Sequence, residues 1–511
     1  MNKPIRRALV SVWDKEGLGV LLPLLDTLGV RIVSSGGTYD HICQRGYKAD
    51  RVEDVTGYPH MLGGRVKTLH PNIFGGILAR QGYGPDEADL AQHRIEAFDL
   101  VVVNLYPFAQ ALAEGKGEAE LVEMVDIGGV SLIRAAAKNY QDVLVVTSPS
   151  QYEGLAQLLT QQHGETSLEQ RQRYAALAFS TTASYDAAIA QHFLDVAQLP
   201  ADEAPIVIQT QGVTSPLRYG ENPHQRGTFC GDLGRMFTQL HGKEISYNNL
   251  LDLHAGIGLI DEFEAPTVAI LKHGTPCGLA TAATLLEAWE GALATDPTSA
   301  FGGVILANGP IEAQMAERMH ELFFEVCLAP DFSQEALALL GQKKNRILLR
   351  RGEASLSPVS VRSALNGYLV QEVDNYRHDL PLGEVVTDVA PTPAQLADLL
   401  LANRAVKHCK SNAIVLAHGG RLIGVGAGET SRVDALQHAI DRAQRFGHTL
   451  RGAVLASDAY FPFRDSVTLA AEHGIAAIVQ PGGSVRDQES IEACNGHHIA
   501  MLFTGHRHFK H

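Results

Sequence analysis

The first candidate for chemistry is a lysine followed directly by a histidine, Lys272-His273, in the stretch AILKHGTPCGLA. A histidine titrates near neutral pH and can move a proton, and the adjacent lysine adds a fixed positive charge. The apolar strand before this pair and the Pro-Cys-Gly after it favour a pocket over the alternative, a surface Lys-His pair. Upstream, Leu217–Gln225 (LRYGENPHQ) combines Arg218 and Tyr219 with more polar side chains than a turn needs.

Three short segments of the first 150 residues have the residue types that hold an anion. Ser34–Thr38 (SSGGT) lies between a strand and a helix, where small residues let backbone N–H groups approach an anion. Asp126–Gly129 (DIGG) precedes the helical segment that carries Arg134 and Lys138. Met61–Pro71 (MLGGRVKTLHP) combines two glycines with basic side chains and a histidine. The alternatives are an ordinary glycine turn between a strand and a helix, or an exposed basic loop.

Arg134 and Lys138 are one helical turn apart in the segment VSLIRAAAK. Like charges at this spacing are mildly destabilising, and a nearby anion would remove that penalty. The alternative is a solvated helix face, although the three intervening alanines indicate close packing. Asn104-Leu105-Tyr106 ends a strand, and ligands of open α/β sheets bind at the carboxyl ends of strands, so Tyr106 is well placed.

Several common motifs do not occur in the sequence. No segment matches a Walker A loop, and Gly424-x-Gly426-x-x-Glu429 fails the dinucleotide pattern at its last position, so neither ATP nor NAD is indicated. Pro276-Cys277 is similar to half of the zinc deaminase signature, but position 280 is alanine, so a deaminase-like fold here is expected to lack zinc. The six scattered cysteines fit reduced thiols in a cytosolic protein, and the irregular histidines predict no metal site.

The elements that must position these residues alternate between strand and helix over the first 150 residues, which predicts a doubly wound parallel sheet. Apolar segments predict strands at Ala8–Trp13, Val30–Val33, Leu100–Leu105 and Val143–Thr147. Helical periodicity covers Lys15–Leu28, Thr38–Arg45, Val130–Lys138 and most of 151–197.

A proline-rich acidic stretch, Leu199–Pro205 (LPADEAP), predicts the domain boundary, with a first domain at 1–199 and a second at 200–511. The second half suggests a weak internal duplication. Ala269–Ala280 (AILKHGTPCGLA) is similar to Ala405–Ala417 (AVKHCKSNAIVLA), and Gly303–Asn308 to Gly452–Asp458, with an added glycine-rich hairpin near 419–428 in the second copy. The alternative is chance similarity between generic strands.

Composition bounds the function classes. A chain of 511 residues allows roughly three domains, and 42 basic against 57 acidic residues give a net charge of −15. This balance argues against nucleic-acid binding but permits an anionic small molecule in a locally basic pocket. The N-terminus lacks the apolar stretch of a signal peptide, and no apolar run approaches the length of a membrane span. A cytoplasmic enzyme without a membrane partner is expected.

Taken together and in collinear order from Ala8 to the C-terminus, nine motifs resemble those of the bifunctional purine-biosynthesis family that joins AICAR transformylase to IMP cyclohydrolase. They read MLGGRVKTLHP, NLYPF, DIGGVSLIRAAAKN, LRYGENPHQ, KHGTPCG, SAFGG, KSNAIV, SDAYFPFRD and IEAC. The resemblance implies a methylglyoxal-synthase-like parallel α/β domain at 1–199. It also implies two cytidine-deaminase-like subdomains without catalytic zinc, at about 200–370 and 371–511.

The activity implied by the resemblance is transfer of the formyl group of 10-formyltetrahydrofolate to AICAR, followed by dehydration of the product FAICAR to IMP. In the transformylase, His273 would move the proton of the attacking amine and Lys272 would stabilise the oxyanion. The resemblance places nucleotide binding at Arg218, Tyr219, Gly302, Glu325, Asn412, Arg432, Tyr460 and Arg507. It places folate binding at Asp465 and Ser484.

In the cyclohydrolase, the resemblance implies that Lys138 is the proton donor and acceptor, with Lys67, Tyr106 and Asp126 around the reacting groups. The positions that match IMP binding are Asp14, Lys15, Ser35, Gly36, Gly37, Thr38, Arg65, Thr68, Asn104, Ile127 and Gly128. Trp13 departs from the small residue common in the family, so it is expected to contact the nucleotide through its backbone.

The family is a homodimer with shared transformylase sites, and a monovalent cation in the second half is left open. Two other hypotheses compete with this assignment. A zinc nucleoside deaminase conflicts with the missing cysteine. A phosphate-ligand sensor without catalysis leaves the 272–278 motif and the long second half unexplained.

Overall fold

The computed structural model describes residues 2–198 and 214–511. The chain divides into two compact units, Met1–Gln211 and Gly212–His511. The predicted boundary at Leu199–Pro205 lies outside the described residues. Within the described residues, no helix is long and apolar enough to cross a membrane.

The first unit contains seven strands and ten α-helices among its described residues. The strands are β1 Lys3–Pro4, β2 Arg7–Val10, β3 Arg31–Ser34, β4 Asp50–Arg51, β5 Leu100–Val102, β6 Leu144–Val146 and β7 Glu165–Thr166. The helices are α1 Leu18–Thr27, α2 Gly36–Gln44, α3 Val52–Thr56, α4 Pro71–Leu78, α5 Gly84–His93, α6 Phe108–Ala113, α7 Glu118–Glu123, α8 Gly128–Lys138, α9 Tyr152–Gln161 and α10 Leu168–Ala197.

The main sheet of this unit has the order β4-β3-β2-β5-β6 and is parallel throughout, as the alternation of strands and helices predicts. Successive residues of β2 and β5 point into different cores, because side chains alternate across a strand. Ala8 and Val10 pack with α1 and α9 on one face. Leu9 and Val101 pack with α4, α8 and α10 on the other face.

Three predicted strands are shorter in the structure. Val143–Thr147 is reduced to Leu144–Val146, and the other two lose their carboxyl ends. Ser11–Trp13 and Val103–Leu105 leave the sheet because they form loops at its carboxyl edge. The side chain of Asn104 ties these loops together, since its Oδ1 accepts from the backbone N–H groups of Trp13 and Asp14. Helix α8 begins at Gly128, two residues before the predicted start.

The second unit contains sixteen strands and ten helices among its described residues. The strands are β8 Thr214–Leu217, β9 Gly227–Cys230, β10 Phe237–His241, β11 Thr267–Lys272, β12 Thr275–Thr281, β13 Val304–Ala307, β14 Val326–Ala329, β15 Ile347–Arg351, β16 Val359–Ala364, β17 Gly367–Glu372, β18 Glu384–Val385, β19 Ile414–His418, β20 Arg421–Gly426, β21 Val454–Ser457, β22 Ala477–Gln480 and β23 Ala500–Phe503. The helices are α11 Leu233–Met236, α12 Tyr247–Ile260, α13 Leu285–Thr295, α14 Pro297–Ala300, α15 Ala313–His320, α16 Gln334–Leu340, α17 Pro393–Lys407, α18 Arg432–Arg445, α19 Asp465–Glu472 and α20 Asp487–His497.

One sheet of twelve strands runs through the second unit in the order β10-β15-β14-β13-β11-β12-β20-β19-β21-β22-β23-β18. Its centre is the antiparallel pair β12–β20. Moving outward from that pair, β11, β13, β14 and β15 on one side correspond to β19, β21, β22 and β23 on the other. The helices α12 and α17 precede the corresponding hairpins, so the unit consists of two copies of one topology.

The duplication is therefore present, but one of the two predicted sequence matches is wrong. Lys272-His273 ends a strand, whereas Lys407-His408 ends helix α17, so these pairs are not equivalent. The counterpart of the 273–274 turn is the turn Gly419-Gly420, so the hairpin near 419–428 is not an addition to the second copy. The match of Gly303–Asn308 with Gly452–Asp458 is correct, because it aligns β13 with β21.

Candidate active sites

The first unit has a cavity of about 710 Å³ at the carboxyl edge of its parallel sheet. The loops that follow β2, β3 and β5 line it, as expected for an open α/β sheet. Twelve of the predicted site residues are on its wall: Lys15, Ser35, Gly37, Thr38, Arg65, Lys67, Thr68, Asn104, Tyr106, Asp126, Ile127 and Gly128.

Two helices begin at this cavity. Ser35 precedes α2 and Ile127 precedes α8, and neither side chain caps its helix. The N–H groups of a first helical turn have no partner within the helix, and the helix dipole makes this end positive. Two such ends with the basic side chains of Lys15, Arg65 and Lys67 form a site suited to a phosphorylated ligand.

Two ionisable side chains, Asp126 and Tyr106, face the same cavity. The carboxylate of Asp126 accepts the Gly129 N–H at 2.7 Å. Burial nevertheless raises the pKa of Asp126. Burial and, to a smaller extent, the charge of Asp126 raise the pKa of the Tyr106 hydroxyl. A carboxyl group with a raised pKa beside a phenol that stays protonated can exchange protons with a bound amide.

Three predicted residues are not on the cavity wall. Asp14 contributes its backbone, which is bonded to Asn104 in both directions. Gly36 is at the start of α2, and a Cβ placed there would lie 3.6 Å from the Lys67 Nζ.

Lys138 is the third residue outside the cavity. It is the exposed last residue of α8, whereas Gly128, at the cavity, is the first. At 1.5 Å per residue the two Cα atoms are about 15 Å apart. Successive side chains are about 100° apart around a helix, so Lys138 also projects from a different face than Leu132, which lines the cavity. Within one chain Lys138 therefore does not join the predicted site.

The wall residues that sequence reasoning missed include Ser11, Glu123 and Phe193. Glu123 forms an ion pair with Arg65, so part of the positive charge of the basic loop is compensated. Phe193 comes from the far end of α10, and no local sequence signal connects it with loops more than 60 residues earlier. The ring of Trp13 packs edge-on against Tyr106 with centroids 5.1 Å apart, while the backbone N–H of Trp13 donates to Asn104 Oδ1.

In the second unit, Lys272 and His273 lie at the end of β11. The Lys272 ammonium donates to the carbonyl oxygens of Phe301 and Gly302 at 2.8 and 2.9 Å. An ammonium has three N–H donors, so one remains for a ligand. The His273 side chain is exposed on the hairpin turn, where its ring is accessible to substrate.

Helix α12 joins this turn to two other predicted segments. Asn248 donates to the carbonyl oxygen of Glu221 at 3.2 Å, which fixes the LRYGENPHQ loop. Asn249 lies 3.5 Å from a Glu325 carboxylate oxygen, which also pairs with Lys243 at 3.3 Å. In that loop Arg218 donates to the Tyr219 hydroxyl at 2.8 Å. We name the predicted residues of these segments the KHG cluster: Arg218, Tyr219, Lys272, His273, Gly302 and Glu325.

The other predicted transformylase residues come from the second copy. Arg432 donates to the Asn412 side chain at 2.8 Å and forms a buried ion pair with Asp458. Tyr460 is two residues after Asp458. The backbone carbonyl oxygen of Asp458 accepts the backbone N–H of His508 at 2.9 Å, which holds the C-terminal segment that carries Arg507. We name Asn412, Arg432, Tyr460 and Arg507 the arginine cluster.

The predicted folate residues lie beside a shallow hollow of about 450 Å³. Asp465 begins α19 and lines the hollow together with Phe463 and Arg486, whose guanidinium is 5.0 Å from the Phe463 ring centre. Ser484 is outside the wall, but its hydroxyl accepts the Arg486 N–H at 3.1 Å. The hollow therefore combines an aromatic face with both signs of charge.

All these positions lie at one edge of the twelve-stranded sheet. Strand β11 ends at this edge, and β13 and β14 begin at it because they run antiparallel to β11. Strand β19 also begins there, and β20, β21, β22 and β23, which run in the opposite direction to β19, end there. The described residues contain no group of three or more His, Cys, Asp or Glu side chains arranged to hold a metal ion.

The fold and these sites define a two-unit α/β enzyme with a phosphate-type pocket in one unit and a Lys-His site in the other. Comparison with known proteins agrees. Residues 136–442 match the family described as AICARFT/IMPCHase bienzyme, and residues 21–131 match the MGS-like domain. The chain belongs to the AICARFT/IMPCHase bienzyme family, which confirms the family and the fold class predicted from the motifs.

The relatives cover the whole chain. The bifunctional purine biosynthesis protein PurH of Bacteroides thetaiotaomicron is 52% identical over 100% of this chain and 99% of its own length. Proteins of the same name from Chloroflexus aurantiacus and Enterococcus faecalis are 50% and 46% identical over 99% of this chain, and over 98% and 100% of their own lengths.

Proposed function

We propose that the two reactions of the family take place in separate units of this chain, cyclisation in the first-unit cavity and formyl transfer at the KHG cluster. The chain is a bifunctional purine-biosynthesis enzyme that makes FAICAR from AICAR and 10-formyltetrahydrofolate and closes FAICAR to IMP. The observation that supports the division most strongly is the Lys272 ammonium beside His273, held with one N–H free.

The formyl transfer requires a base because its nucleophile is weak. The amine of AICAR is attached to an aromatic ring, so its proton must leave as nitrogen attacks the formyl carbon. We assign this proton to the His273 ring. The formyl oxygen becomes an oxyanion, and the free N–H of Lys272 stabilises it. Collapse breaks the bond to the folate nitrogen, which receives the proton from His273 and leaves as tetrahydrofolate.

Nucleotide and folate are assigned to the remaining predicted residues of this edge. Arg218, Tyr219 and Glu325 belong to the KHG cluster, and Asn412, Arg432, Tyr460 and Arg507 to the arginine cluster. Asp465 and Ser484 are assigned to the folate. The hollow beside Asp465 supports this, because a reduced folate combines a flat ring system with an anionic tail.

The cyclisation needs proton exchange rather than a strong nucleophile. The carboxamide nitrogen of FAICAR attacks the formyl carbon, and one amide proton passes to the formyl oxygen. That oxygen then leaves as water with the formamide proton, which makes the ring aromatic. We assign these transfers to Asp126 and Tyr106 and the stabilisation of the oxygen to Lys67, because all three side chains face the cavity.

Lys138 is assigned to the same reaction, but from a second copy of the chain. Its position at the opposite end of α8 separates it from the cavity of its own unit. Its side chain is exposed and is therefore available to a neighbouring copy. In a homodimer each cavity would then be completed by the Lys138 of the other copy.

A homodimer with shared transformylase sites is proposed on the family resemblance. Within one chain, the KHG cluster lies at the end of β11, and the arginine cluster lies near the ends of β20 and β21 and the start of β19, two to four strand positions away. A site shared between two copies would bring together clusters of different chains. A cytoplasmic location and a monovalent cation in the second unit are proposals that rest on the family resemblance.

The direct test supplies AICAR and 10-formyltetrahydrofolate to the purified chain and follows both products. Formation of tetrahydrofolate and IMP in equal amounts is expected. If neither product appears, the assignment is wrong. If tetrahydrofolate forms without IMP, the cyclisation site alone is wrongly assigned.

A further inference from the structure

Each half of the second unit has a hairpin with the same two-residue turn. His273-Gly274 joins β11 to β12, and Gly419-Gly420 joins β19 to β20. The φ angles are 52° and 71° in the first turn and 62° and 75° in the second, which is the backbone of a type I′ turn. The two turns are equivalent by the internal duplication, and they lie at opposite edges of the sheet.

An aspartate holds each turn from the same position of the preceding helix. Asp252 is the sixth residue of α12, and Asp398 is the sixth residue of α17. Asp398 accepts both turn N–H groups, from Gly419 at 2.9 Å and from Gly420 at 2.7 Å. This carboxylate is fully used in holding the backbone of its turn.

The first copy uses the same aspartate differently. Asp252 Oδ1 accepts the Gly274 N–H at 2.6 Å, and Oδ2 accepts no hydrogen bond from the described residues. His273 is the first residue of its turn, as Gly419 is of the other turn. Its positive φ costs a residue with a Cβ about 1 kcal/mol or more. Strained backbone of this kind is typical of functional sites, and here it presents an imidazole at the turn.

The charges around Asp252 are mixed. Burial raises the pKa of the Asp252 carboxyl, and the Gly274 N–H and the nearby His273 and Lys272 oppose this effect. Glu325 raises the same pKa and is itself paired with Lys243. Asp252 is thus the acidic group that shares the turn with His273, whereas Glu325 has a cation of its own.

We propose that Asp252 is a positioning residue for His273, in which the turn anchor of the duplicated fold has acquired a second task. Oδ1 fixes the turn through Gly274, and Oδ2 provides a negative charge that stabilises the imidazolium formed when His273 takes the amine proton. This inference rests on the proposed role of His273. Asp398 keeps only the original task and is therefore a matched control.

The experiment compares Asp252→Asn, Asp252→Ala and Asp398→Asn in the full chain. Asparagine keeps the acceptor for Gly274 but removes the charge. For Asp252→Asn we expect kcat of formyl transfer to fall about tenfold and the midpoint of its pH profile to fall by about one pH unit, with the KM for AICAR nearly unchanged. Asp252→Ala should lower kcat about 100-fold. Asp398→Asn should lower Tm without moving the pH midpoint.

The outcomes separate this inference from the assignment of His273. An unchanged pH midpoint in Asp252→Asn, or an equal shift in Asp398→Asn, overturns the role of Asp252. The Tm of each variant reports whether its second unit is folded, and cyclisation of supplied FAICAR reports whether its first unit is intact. If His273→Ala still transfers formyl groups at the normal rate, the proposed base is wrong, whatever Asp252 does.

Discussion

The ammonium of Lys272 lies 2.9 Å from the carbonyl oxygen of Gly302, a glycine with a φ of 70°. A Cβ at position 302 would lie 2.9 Å from the same Nζ, so the approach depends on the glycine. Lys272→Met keeps the length of the side chain and removes the charge. We expect formyl transfer to fall about 10²- to 10³-fold, because the oxyanion loses its donor.

The control for Lys272→Met is the other reaction of the same protein. Steady-state assays should show normal cyclisation of FAICAR, since Lys272 belongs to the second unit. Formyl transfer within threefold of the unsubstituted protein would mean that Lys272 only supports the backbone at Gly302.

Asn104 is predicted to matter more for the first-unit cavity than the larger side chain of Trp13. The Asn104 amide holds the loop through the N–H groups of Trp13 and Asp14 and the carbonyl oxygen of Asp14. Asn104→Ala removes all three bonds and should raise the KM for FAICAR at least tenfold. Trp13→Ala keeps them and should change KM by less than about threefold. The reverse order of effects would show that the indole itself binds the nucleotide.

Lys138 can be tested by mixing two inactive variants. Lys67→Ala and Lys138→Ala should each lose cyclisation. When the two are dissociated and reassembled together, each mixed dimer regains one intact cavity, because Lys67 of one copy meets Lys138 of the other. Recovery of FAICAR cyclisation is expected in the mixture and not in either variant alone. Without recovery, Lys138 does not act from a second copy.

Stability in acid should depend on a buried pair of histidines. His378 Nε2 is 2.7 Å from His508 Nε2, and both rings are buried. Burial and the neighbouring His508 lower the pKa of His378 to about 4, from an ordinary value near 6.5. As pH falls, His378 is therefore protonated in the unfolded chain before it is protonated in the folded protein. The contribution of neutral His378 to the free energy of unfolding is complete above pH 6.5 and is lost progressively down to pH 4.

The expected loss between pH 7 and pH 5 is about 2 kcal/mol of the free energy of unfolding. His378→Gln removes the titrating group and should be less sensitive to acid by that amount. Urea denaturation of both proteins at the two pH values measures the difference. Equal acid sensitivity would show that other groups determine the loss.

The sequence was sufficient for the elements that have a strong local pattern. The apolar strands of the first unit, the helices between them and the loops at the carboxyl edge are all present, because burial on both faces of a parallel sheet leaves a clear signal. The cavity residues Lys67, Tyr106 and Asp126 followed from their loops. The position of Lys138 outside the cavity did not follow from the sequence, because its motif is continuous in sequence but extends along a helix whose two ends are about 15 Å apart.

The duplication shows a second limit. The dipeptide Lys-His occurs at both 272–273 and 407–408, yet the first pair ends a strand and the second ends a helix. The true equivalence lies in the turn backbone and in the two aspartates, Asp252 and Asp398. A turn with this backbone accepts any residue that tolerates a positive φ angle. The two turns therefore contain different residues, His-Gly in the first and Gly-Gly in the second. Asp252 and Asp398 correspond because each is the sixth residue of its helix, and this correspondence is not visible in a comparison of the two turn sequences.

The central claim is that the two reactions have separate sites in the two units. The most direct measurement assays formyl transfer and FAICAR cyclisation in parallel for His273→Ala and Lys67→Ala, with folding checked by Tm. His273→Ala should lose formyl transfer by about 10²- to 10⁴-fold and keep cyclisation, and Lys67→Ala should do the reverse. If either folded variant loses both reactions, the division into two sites is contradicted.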